Sequence, residues 1–425
     1  MNRTEAPELK DIHRLDINNF KTITLNNGVP LYIVDGVEED LVRIEIRFPA
    51  GRWHENKHGQ SHATPAQMKK GTAAKTSLEI AEAIEYYGAQ LDTSSGQDHT
   101  AVTLYSLGKY IKEIIPVVEE ILQEAIFPEQ ELELYKERKT QRMRINAQNT
   151  DYHANRKYNE VIFGDKHPYG YAIKEKDVDN LQKQDLLDYY RSYFNIAEAK
   201  IFISGNIKED VIRTVEKHFG HQQKMNNPDS ATDKSLHTLT ENKFYIPHKD
   251  SVQSSVRIGG ISIPKDHPDF PELNVLNTVF GGYFGSRLMS NIREDKGYTY
   301  GIHSSIGHNL HGSYFSIDTE VSNEVCKNVV HEIYYEMELL RSNIIPDDEL
   351  SIVKNYMLGT FLRATDGPFN RINVVRNIVL SGLDISYFNR LVEAAKTVTP
   401  ARLQELANQY FVKSGMKEIV CGNIP

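Results

Sequence analysis

The chain has 425 residues, of which 40% are hydrophobic and 25% charged, with a formal net charge of −9 and a pI near 6.0. This length predicts two to four domains, and the composition is typical of a globular protein with a sizeable core. The acidic balance, without basic clusters, argues against nucleic acid as a partner. The two cysteines, Cys326 and Cys421, are too few for a disulfide framework and are compatible with a reducing compartment.

Targeting and membrane signals are missing from the sequence. No run approaches the roughly 18 apolar residues that a membrane-spanning helix needs. The first 15 residues are polar and charged and lack the apolar stretch of a signal peptide. We therefore expect a cytoplasmic protein without a membrane partner.

The first half mixes strands and helices. Val42 to Phe48 alternates apolar and charged residues, which predicts a strand with one face on a core. Thr76-x-x-Glu79 is a capping box that predicts a helix ending at Gly88. A second strand over Thr100 to Leu107 and a helix over Tyr110 to Leu122 follow. Without strict strand–helix alternation, this order favours an α+β fold in which helices pack on a sheet.

The second half repeats the first. Residues 186–207 and 403–424 share seven identities at a constant offset of 217, and each segment ends as a strand stopped by Gly-Asn. Residues 128–136 recur as 346–354 at an offset of 218, and residues 42–44 recur as 256–258 at 214. Three echoes in the same order indicate a tandem duplication. The polar stretch between the halves predicts a linker over 223–243, which separates a domain at 1–222 from one at 244–425.

A known motif follows the first strand. Ala50-Gly51-Arg52, Glu55, Gly59, His62 and Lys70-Gly71-Thr72 fall into the frame of the pitrilysin/insulinase family of zinc peptidases, which this sequence resembles from about Leu25 to Asn423. The family motif is Gly-x-x-His-x-x-Glu-His with a closing Lys-Gly-Thr. The resemblance implies two tandem homologous domains, each a mostly antiparallel sheet with helices packed on it, that form half of a clamshell chamber.

Most of the catalytic residues of that motif are replaced. His62 keeps the first position, Pro65 stands in place of the Glu base, and Ala66 stands in place of the second His. The family's third ligand, a Glu, falls near Met143 or Arg144. A lone imidazole cannot hold catalytic zinc, which normally needs three protein ligands. Thr64-Pro65 instead predicts an N-cap and a first helical residue, so we expect the helix to begin there.

A competing metal motif lies eight residues earlier. His54, Glu55 and His58 match His-Glu-x-x-His, which on a helix would place two imidazoles on one face with the Glu as base. Asn56, Lys57 and Gly59 are typical of a solvated loop, which is the favoured interpretation. His303, His308 and His311 are interpreted as scattered surface or core histidines.

The second half retains segments that handle substrate in the family. Gly281, Gly282 and Gly285 precede Ser286-Arg287-Leu288 and are similar to the family's glycine-rich turn. Residues 293–300 resemble its Arg-Glu-x-x-Gly-x-x-Tyr segment. The resemblance implies that Arg293 and Tyr300 donate hydrogen bonds to a substrate carbonyl or carboxylate. The alternative is a surface ion pair with a strand tyrosine packed into the core.

The resemblance implies a function without catalysis by this chain alone. Some family members pair a zinc-bearing half-length subunit with one that lacks zinc but supplies the Arg/Tyr pair. We expect this chain to be the second kind: it binds no cofactor, its sister subunit holds the zinc, and the pair binds unfolded peptide. The alternatives are a structural or scaffold protein and an active metallopeptidase that uses His54, Glu55 and His58.

Overall fold

The structure is a computed structural model. It describes residue 15 and residues 17–223, 234–236 and 239–423. Two sheets, one in each half of the chain, are covered by helices, and each half has its own large apolar core. The α+β class is confirmed.

The described part of the first half holds six strands and eight helices, in addition to short 3₁₀ turns. Their bounds are β1 Lys21–Thr24, β2 Pro30–Asp35, β3 Leu41–Phe48, α1 Gln60–Gln67, α2 Ser77–Glu85, β4 Gln90–Ser95, β5 Thr100–Leu107, α3 Ile111–Glu124, α4 Glu129–Asn146, α5 Thr150–Phe163, α6 Glu175–Asp179, α7 Lys183–Tyr193, β6 Lys200–Gly205 and α8 Glu209–Phe219. The predicted strands and helices of this half are all present. The capping box is complete, because the side chains of Thr76 and Glu79 each accept a hydrogen bond from the other's backbone N–H.

The described part of the second half follows the same plan. Its elements are β7 Lys243–Pro247, β8 Gln253–Ser262, α9 Phe270–Asn277, β9 Thr299–Asn309, β10 Gly312–Ser322, α10 Cys326–Ser342, α11 Asp347–Ala364, α12 Gly367–Leu380, α13 Ser386–Thr397, α14 Pro400–Tyr410 and β11 Lys417–Gly422. Two π-helical turns, Thr278–Gly282 and Met289–Asp295, lie between α9 and β9.

The sheets share one topology. The strand orders are β1-β2-β6-β3-β5-β4 and β7-β11-β8-β10-β9. Each sheet contains one parallel pair, β2 with β6 and β7 with β11, and its other pairs are antiparallel. The second sheet therefore matches the first strand for strand, except that β1 has no counterpart among the described residues. This correspondence supports the tandem duplication.

The halves exchange one helix each. Helix α5 of the first half packs on β8 and β11 of the second sheet, while α12 of the second half packs on β2 and β6 of the first. Strand β3 is therefore buried on both faces, and the prediction of one solvated face is wrong. Arg43 and Glu45 lie beneath α12, where they are 7% and 3% exposed.

One of the three sequence echoes is out of register in the structure. Ile203 pairs with Ile44, and its repeat partner Val420 pairs with Val256. Ile44 thus matches Val256 at an offset of 212, whereas the echo of residues 42–44 assumed 214. The sequence does not reveal this two-residue difference in offset, because residues two positions apart on a strand place their side chains on the same face. The structural counterpart of Glu45 is therefore Arg257.

The predicted domain boundary stays a prediction. Part of the linker, residues 224–233 and 237–238, lies outside the described residues, and β7 begins at Lys243, the last residue of the predicted linker. The exchanged helices show that the contacts of each sheet cross this boundary. No helix of the described chain is both long and apolar enough to cross a bilayer.

Candidate functional site

The start of α1 is organised by Glu55. Its Oε1 accepts hydrogen bonds from Gly59 N (3.1 Å), Ser61 N (2.9 Å) and Ser61 Oγ (2.6 Å). These bonds satisfy amides of the first helical turn, which have no partner inside the helix. The helix begins at Gln60, so the predicted start at Thr64-Pro65 is wrong and Pro65 lies inside the helix. Glu55 is buried, contrary to the expectation of a solvated loop.

The His54–His58 stretch does not have the geometry of a helical metal motif. Arg52–His54 forms a 3₁₀ turn, and the residues after it are bends and turns until α1. His54 packs on Tyr193 at 5.1 Å between ring centroids, and His58 stacks on Tyr171 at 3.5 Å. The Glu55 carboxylate that a zincin would use as base holds the helix start instead.

The family's zinc position contains one possible ligand. His62 lies on the accessible side of α1, with Pro65 and Ala66 in the following turn. Desolvation, with the charges of Lys139 and Arg52, lowers the pKa of its imidazole to about 4. Lys139 is on α4, the helix where the family places its third, carboxylate ligand. Met143 and Arg144, the positions near which that ligand falls, carry no carboxylate, so these residues do not fit zinc.

The described residues contain no cluster of three or more His, Cys, Asp or Glu side chains arranged to hold a metal ion. The sequence suggested two places for a metal site, the His62 position and the His54–His58 stretch. Neither place has three such side chains arranged around one point.

The glycine-rich turn is a point of close packing. A Cβ at Gly281 would lie 2.6 Å from Ser304 Oγ and 2.7 Å from Ser304 N on β9. At Gly282 the nearest atom would be the backbone oxygen of Asn277, at 3.2 Å, and at Gly285 it would be the Tyr283 ring, at 2.8 Å. The turn thus brings the chain against β9 and leaves Phe284 62% exposed.

Arg293 lies on the second π-helical turn. Its guanidinium stands 4.6 Å from the centroid of the Phe284 ring, and its Nε donates to Tyr300 O at 3.1 Å. Arg293 Nη1 is 3.6 Å from Glu294 Oε1. This ion pair is partly exposed to solvent and contributes little to stability. Single π turns are frequent at functional sites, and no sequence signal had indicated one here.

Tyr300 is the most exposed of the large apolar and aromatic side chains, at 94%. It lies near the start of β9, an edge strand of the second sheet. Its hydroxyl has no hydrogen-bond partner among the described residues. The alternative of a tyrosine packed into the core is therefore wrong, and the phenol is available to a ligand.

A buried polar network holds the segment that carries Arg293. Asn291 Nδ2 donates to Glu336 Oε1 (2.6 Å), and Lys296 Nζ donates to Asn291 Oδ1 (2.7 Å). Arg287 makes a two-pronged contact with Glu349, each bond 2.8 Å long. Burial raises the pKa of Glu336, opposed by the hydrogen bond from Asn291. These contacts tie the π turn to α10 and α11.

Sequence reasoning missed the contact between the halves near the first site. His311, at the tip of the β9–β10 hairpin, stacks on Trp53 with ring centroids 3.7 Å apart, and Lys234 stands 4.9 Å from the same indole. Leu310 N donates to Asp98 Oδ2 at 2.9 Å. Only the fold brings these residues together, because Trp53 and His311, like Asp98 and Leu310, are more than 200 positions apart along the chain.

The fold and these sites define a peptidase-like chain of two homologous domains whose metal position is degenerate. Residues 35–168 match the family model described as insulinase, peptidase family M16, and residues 180–357 match the model of the peptidase M16 inactive domain. The chain belongs to peptidase family M16, the insulinase family. The resemblance drawn from its motifs is confirmed.

Individual relatives match this chain over most of its length. The "uncharacterized zinc protease YmxG" of Bacillus subtilis is 24% identical over 422 residues, which cover 96% of this chain and 100% of that protein. The "non-peptidase homolog YmxG" of Helicobacter pylori is 22% identical and covers 76% of this chain and 75% of its own. One of these relatives is thus named as a zinc protease and the other as a non-peptidase homologue.

Solved structures share the fold. A crystal structure of a peptidase M16 inactive domain from Pseudomonas fluorescens superposes with a TM-score of 0.85 at 20% identity and covers 96% of this chain and 99% of its own. A protease from Helicobacter pylori gives a TM-score of 0.83 at 15% identity. At these identities the likeness concerns the fold alone.

Proposed function

We propose that this chain is a non-catalytic subunit of a zinc metallopeptidase, which binds unfolded peptide and supplies Arg293 and Tyr300 to the active site of a zinc-bearing sister subunit. The observation that carries the proposal is the 94% exposure of Tyr300 beside Arg293, in a chain whose zinc position has a proline and an alanine. A phenol without an internal partner and a guanidinium with donors to spare suit a peptide carbonyl or carboxylate.

The names of the relatives support the coarser part of this proposal. Family models and structures described as inactive domains, and a relative described as a non-peptidase homologue, are what a pseudo-peptidase would resemble. The partner, the peptide, the sister's zinc and a cytoplasmic location are further parts of the proposal.

The first test is the zinc content of the purified chain, measured by elemental mass spectrometry after brief dialysis against a weak chelator. We expect essentially none. About one zinc per chain would overturn the non-catalytic assignment and would direct attention to His54, Glu55 and His58.

The decisive test uses the complex with the sister subunit, isolated by co-purification. Arg293→Ala should lower peptide turnover by about 100-fold, the lower end of the cost of losing one donor to a developing charge, while the complex stays assembled on size exclusion. The control is Arg213→Ala, which removes an arginine that is 70% exposed on α8 of the other half. Unchanged kinetics for Arg293→Ala would contradict the proposal and favour a scaffold.

A further inference from the structure

The two halves differ in one helix that follows a repeated strand. In the first half α8 follows β6, packs on α3, and buries Val211, Val215 and Phe219 in the first core. In the second half β11 is the counterpart of β6, and no helix follows β11 among the described residues. The place that α8 takes in the first half therefore has no corresponding helix in the described part of the second.

Helix α10 presents the counterpart of the α3 surface on which α8 packs. Both helices follow a 3₁₀ turn, and they begin at Ile111 and Cys326. Ile115 of α3 therefore corresponds to Val330 of α10. Ile111 and Ile115 are buried in the core that also contains α8. Cys326 is buried as well, but Val330 is only partly buried, so this surface of α10 is not fully covered.

The strands show the same difference. Ile33 of β2 pairs with Ile203 of β6, and both side chains are buried in the first core. Their counterparts are Tyr245 of β7 and Val420 of β11, which pair in the same parallel manner. Val420 is buried, whereas Tyr245 is 50% exposed. The sheet surface beside α10 is thus partly open, where its counterpart in the first half is closed.

An open groove lies where these counterparts meet, and we call it the α10 groove. Its volume is about 520 Å³, a size typical of ligand sites. Its lining combines apolar and aromatic residues from β7, β11 and α10 with three charged residues: Phe244, Tyr245, Val420, Cys326, Val330, Lys243, Lys327 and Glu418. A surface that α8 would cover in the first half is here accessible to another molecule.

The α10 groove keeps the positive charge that pairs with the start of α8. In the first half Lys112 Nζ lies 3.7 Å from Asp210 Oδ2, in the first turn of α8. Lys112 and Lys327 are each the second residue of their helix, so Lys327 stands in the corresponding place. Lys243 and Glu418 form an ion pair at 3.5 Å, which leaves the groove with one net positive charge. An acidic residue at the start of a docked helix would complement it.

We propose that the α10 groove binds an amphipathic helix of a partner protein, in the position that α8 has in the first half. The occupant has apolar residues one turn apart, as Val211 and Val215 are, and an acidic residue in its first turn. Docking of an apolar helix face into a groove is a common mode of protein recognition. The inference goes beyond the proposed function, because it needs neither Arg293 nor Tyr300.

Segments of this same chain fit the α10 groove poorly. The parts of the linker outside the described residues, 224–233 and 237–238, have Met225 and Ala231 as their only apolar residues, too few for an apolar helix face. The first described residues, Leu15 and Ile17, pack in a cluster that shares no residue with the groove. Helix α8 of a second copy is already buried in its own core. We therefore assign the occupant to a different protein.

The probe is a labelled peptide of residues 207–221, which contains α8, with a hydrocarbon staple between the exposed positions 213 and 217. The staple lowers the cost of helix nucleation, which leaves short free peptides mostly unfolded. Fluorescence anisotropy measures its binding to the isolated full chain. We expect saturable binding, which Val215→Asp in the peptide should weaken at least tenfold, because it places a charge on the apolar face.

Variants of the chain locate the binding site. Val330→Trp fills the α10 groove and should weaken binding of the peptide at least tenfold. Lys327→Glu should weaken it about threefold, and the peptide with Asp210→Lys should restore it, because the two changes exchange the charges of one pair. Asn328→Glu adds the same charge at an exposed position of α10 outside the groove and should change the affinity by less than about twofold. The charge exchange remains a test if Val330→Trp fails to fold.

Three results would overturn the proposal. Absence of saturable binding up to about 1 mM peptide would mean that the α10 groove does not accept a helix of this kind. Binding that Val330→Trp and Lys327→Glu leave unchanged would place the peptide elsewhere on the chain. A dimer of the chain, seen by analytical ultracentrifugation and lost in Val330→Trp, would assign the groove to a second copy. Because no turnover is measured, each of these results leaves the proposed role of Arg293 untouched.

Discussion

The two sheets hold their exchanged helices with opposite charges at the same position. In the first sheet Glu45 binds Arg376 of α12, with Arg376 Nη1 2.9 Å from Glu45 Oε2, and also contacts Arg47. In the second sheet its counterpart is Arg257, which binds Asp151 of α5 at 2.8 Å and contacts Asp318. Each half therefore has an ion pair between the strand and the crossing helix, but the acidic residue lies on the strand in the first half and on the helix in the second. What the halves share is the packing of the helix on the sheet.

The halves also differ in how tightly this ion pair is enclosed. The Glu45 side chain is 3% exposed, and Arg376 and Arg47 are 18% and 20% exposed. Asp151 is 52% exposed, and a pocket of about 640 Å³ opens beside Arg257. Removing one partner of a buried ion pair costs much more free energy of unfolding than removing one partner of an exposed pair, since the remaining charge is neither paired nor solvated. This contrast gives the largest predicted effect.

Glu45→Gln should lower the free energy of unfolding by about 3–5 kcal/mol, because two guanidinium groups would stay buried without a counter-charge. The matched change in the other sheet, Asp151→Asn, should cost less than about 1 kcal/mol, as exposed pairs do. Urea denaturation at pH 7 measures both values. Equal losses would show that the two ion pairs contribute equally to the free energy of unfolding despite their different burial.

The stability lost in Glu45→Gln should depend on pH, and this dependence follows from the pKa of Glu45. Burial raises this pKa, but the adjacent Arg47 and Arg376 outweigh burial, and the net shift is downward. A lowered folded-state pKa stabilises the protein above the unfolded value of about 4.3, and the stabilisation is lost as pH falls through the folded value. The gap between wild type and Glu45→Gln should therefore be full at pH 7 and should narrow below about pH 4.

A second contrast lies within the glycine-rich turn. A Cβ at Gly281 would meet the backbone of β9 at 2.7 Å, whereas at Gly285 it would meet the ring of Tyr283, which can move. Gly281→Ala should destabilise the chain by about 1–3 kcal/mol through overpacking, and Gly285→Ala by less than about 1 kcal/mol. Thermal unfolding of the two variants compares them directly. A larger loss at Gly285 would mean that the Tyr283 ring, and not β9, constrains the turn.

The sequence predicted the fold class, the duplication and most elements, because these depend on apolar periodicity and local capping. It failed where tertiary contacts decide. The charged residues of β3 read as a solvated face, since nothing in the sequence shows that α12 of the other half covers them. The true start of α1 depends on Glu55, whose side chain replaces the missing partners of the first turn.

The site residues show the same division between features that local sequence predicts and features that tertiary contacts decide. The motif located His62, Arg293 and Tyr300, but not what surrounds them. Lys139 lies 77 positions from His62, and no local pattern connects the two. The π turn under Arg293 depends on Asn291 and Glu336, which meet only when α10 packs against it.

The smallest predicted effect concerns two tyrosines that differ only in their surroundings. Tyr158 on α5 is 1% exposed and donates its hydroxyl hydrogen to Phe315 O of the second sheet, whereas Tyr300 is 94% exposed. Tyr158→Phe should cost about 1–2 kcal/mol, because it leaves a buried carbonyl without that donor. Tyr300→Phe should change stability by less than about 0.5 kcal/mol, since it removes no internal contact. Chemical denaturation measures both, and the complex with the sister subunit then shows whether Tyr300→Phe lowers turnover. A stability loss above 1 kcal/mol for Tyr300→Phe would mean that the phenol serves the fold rather than a ligand.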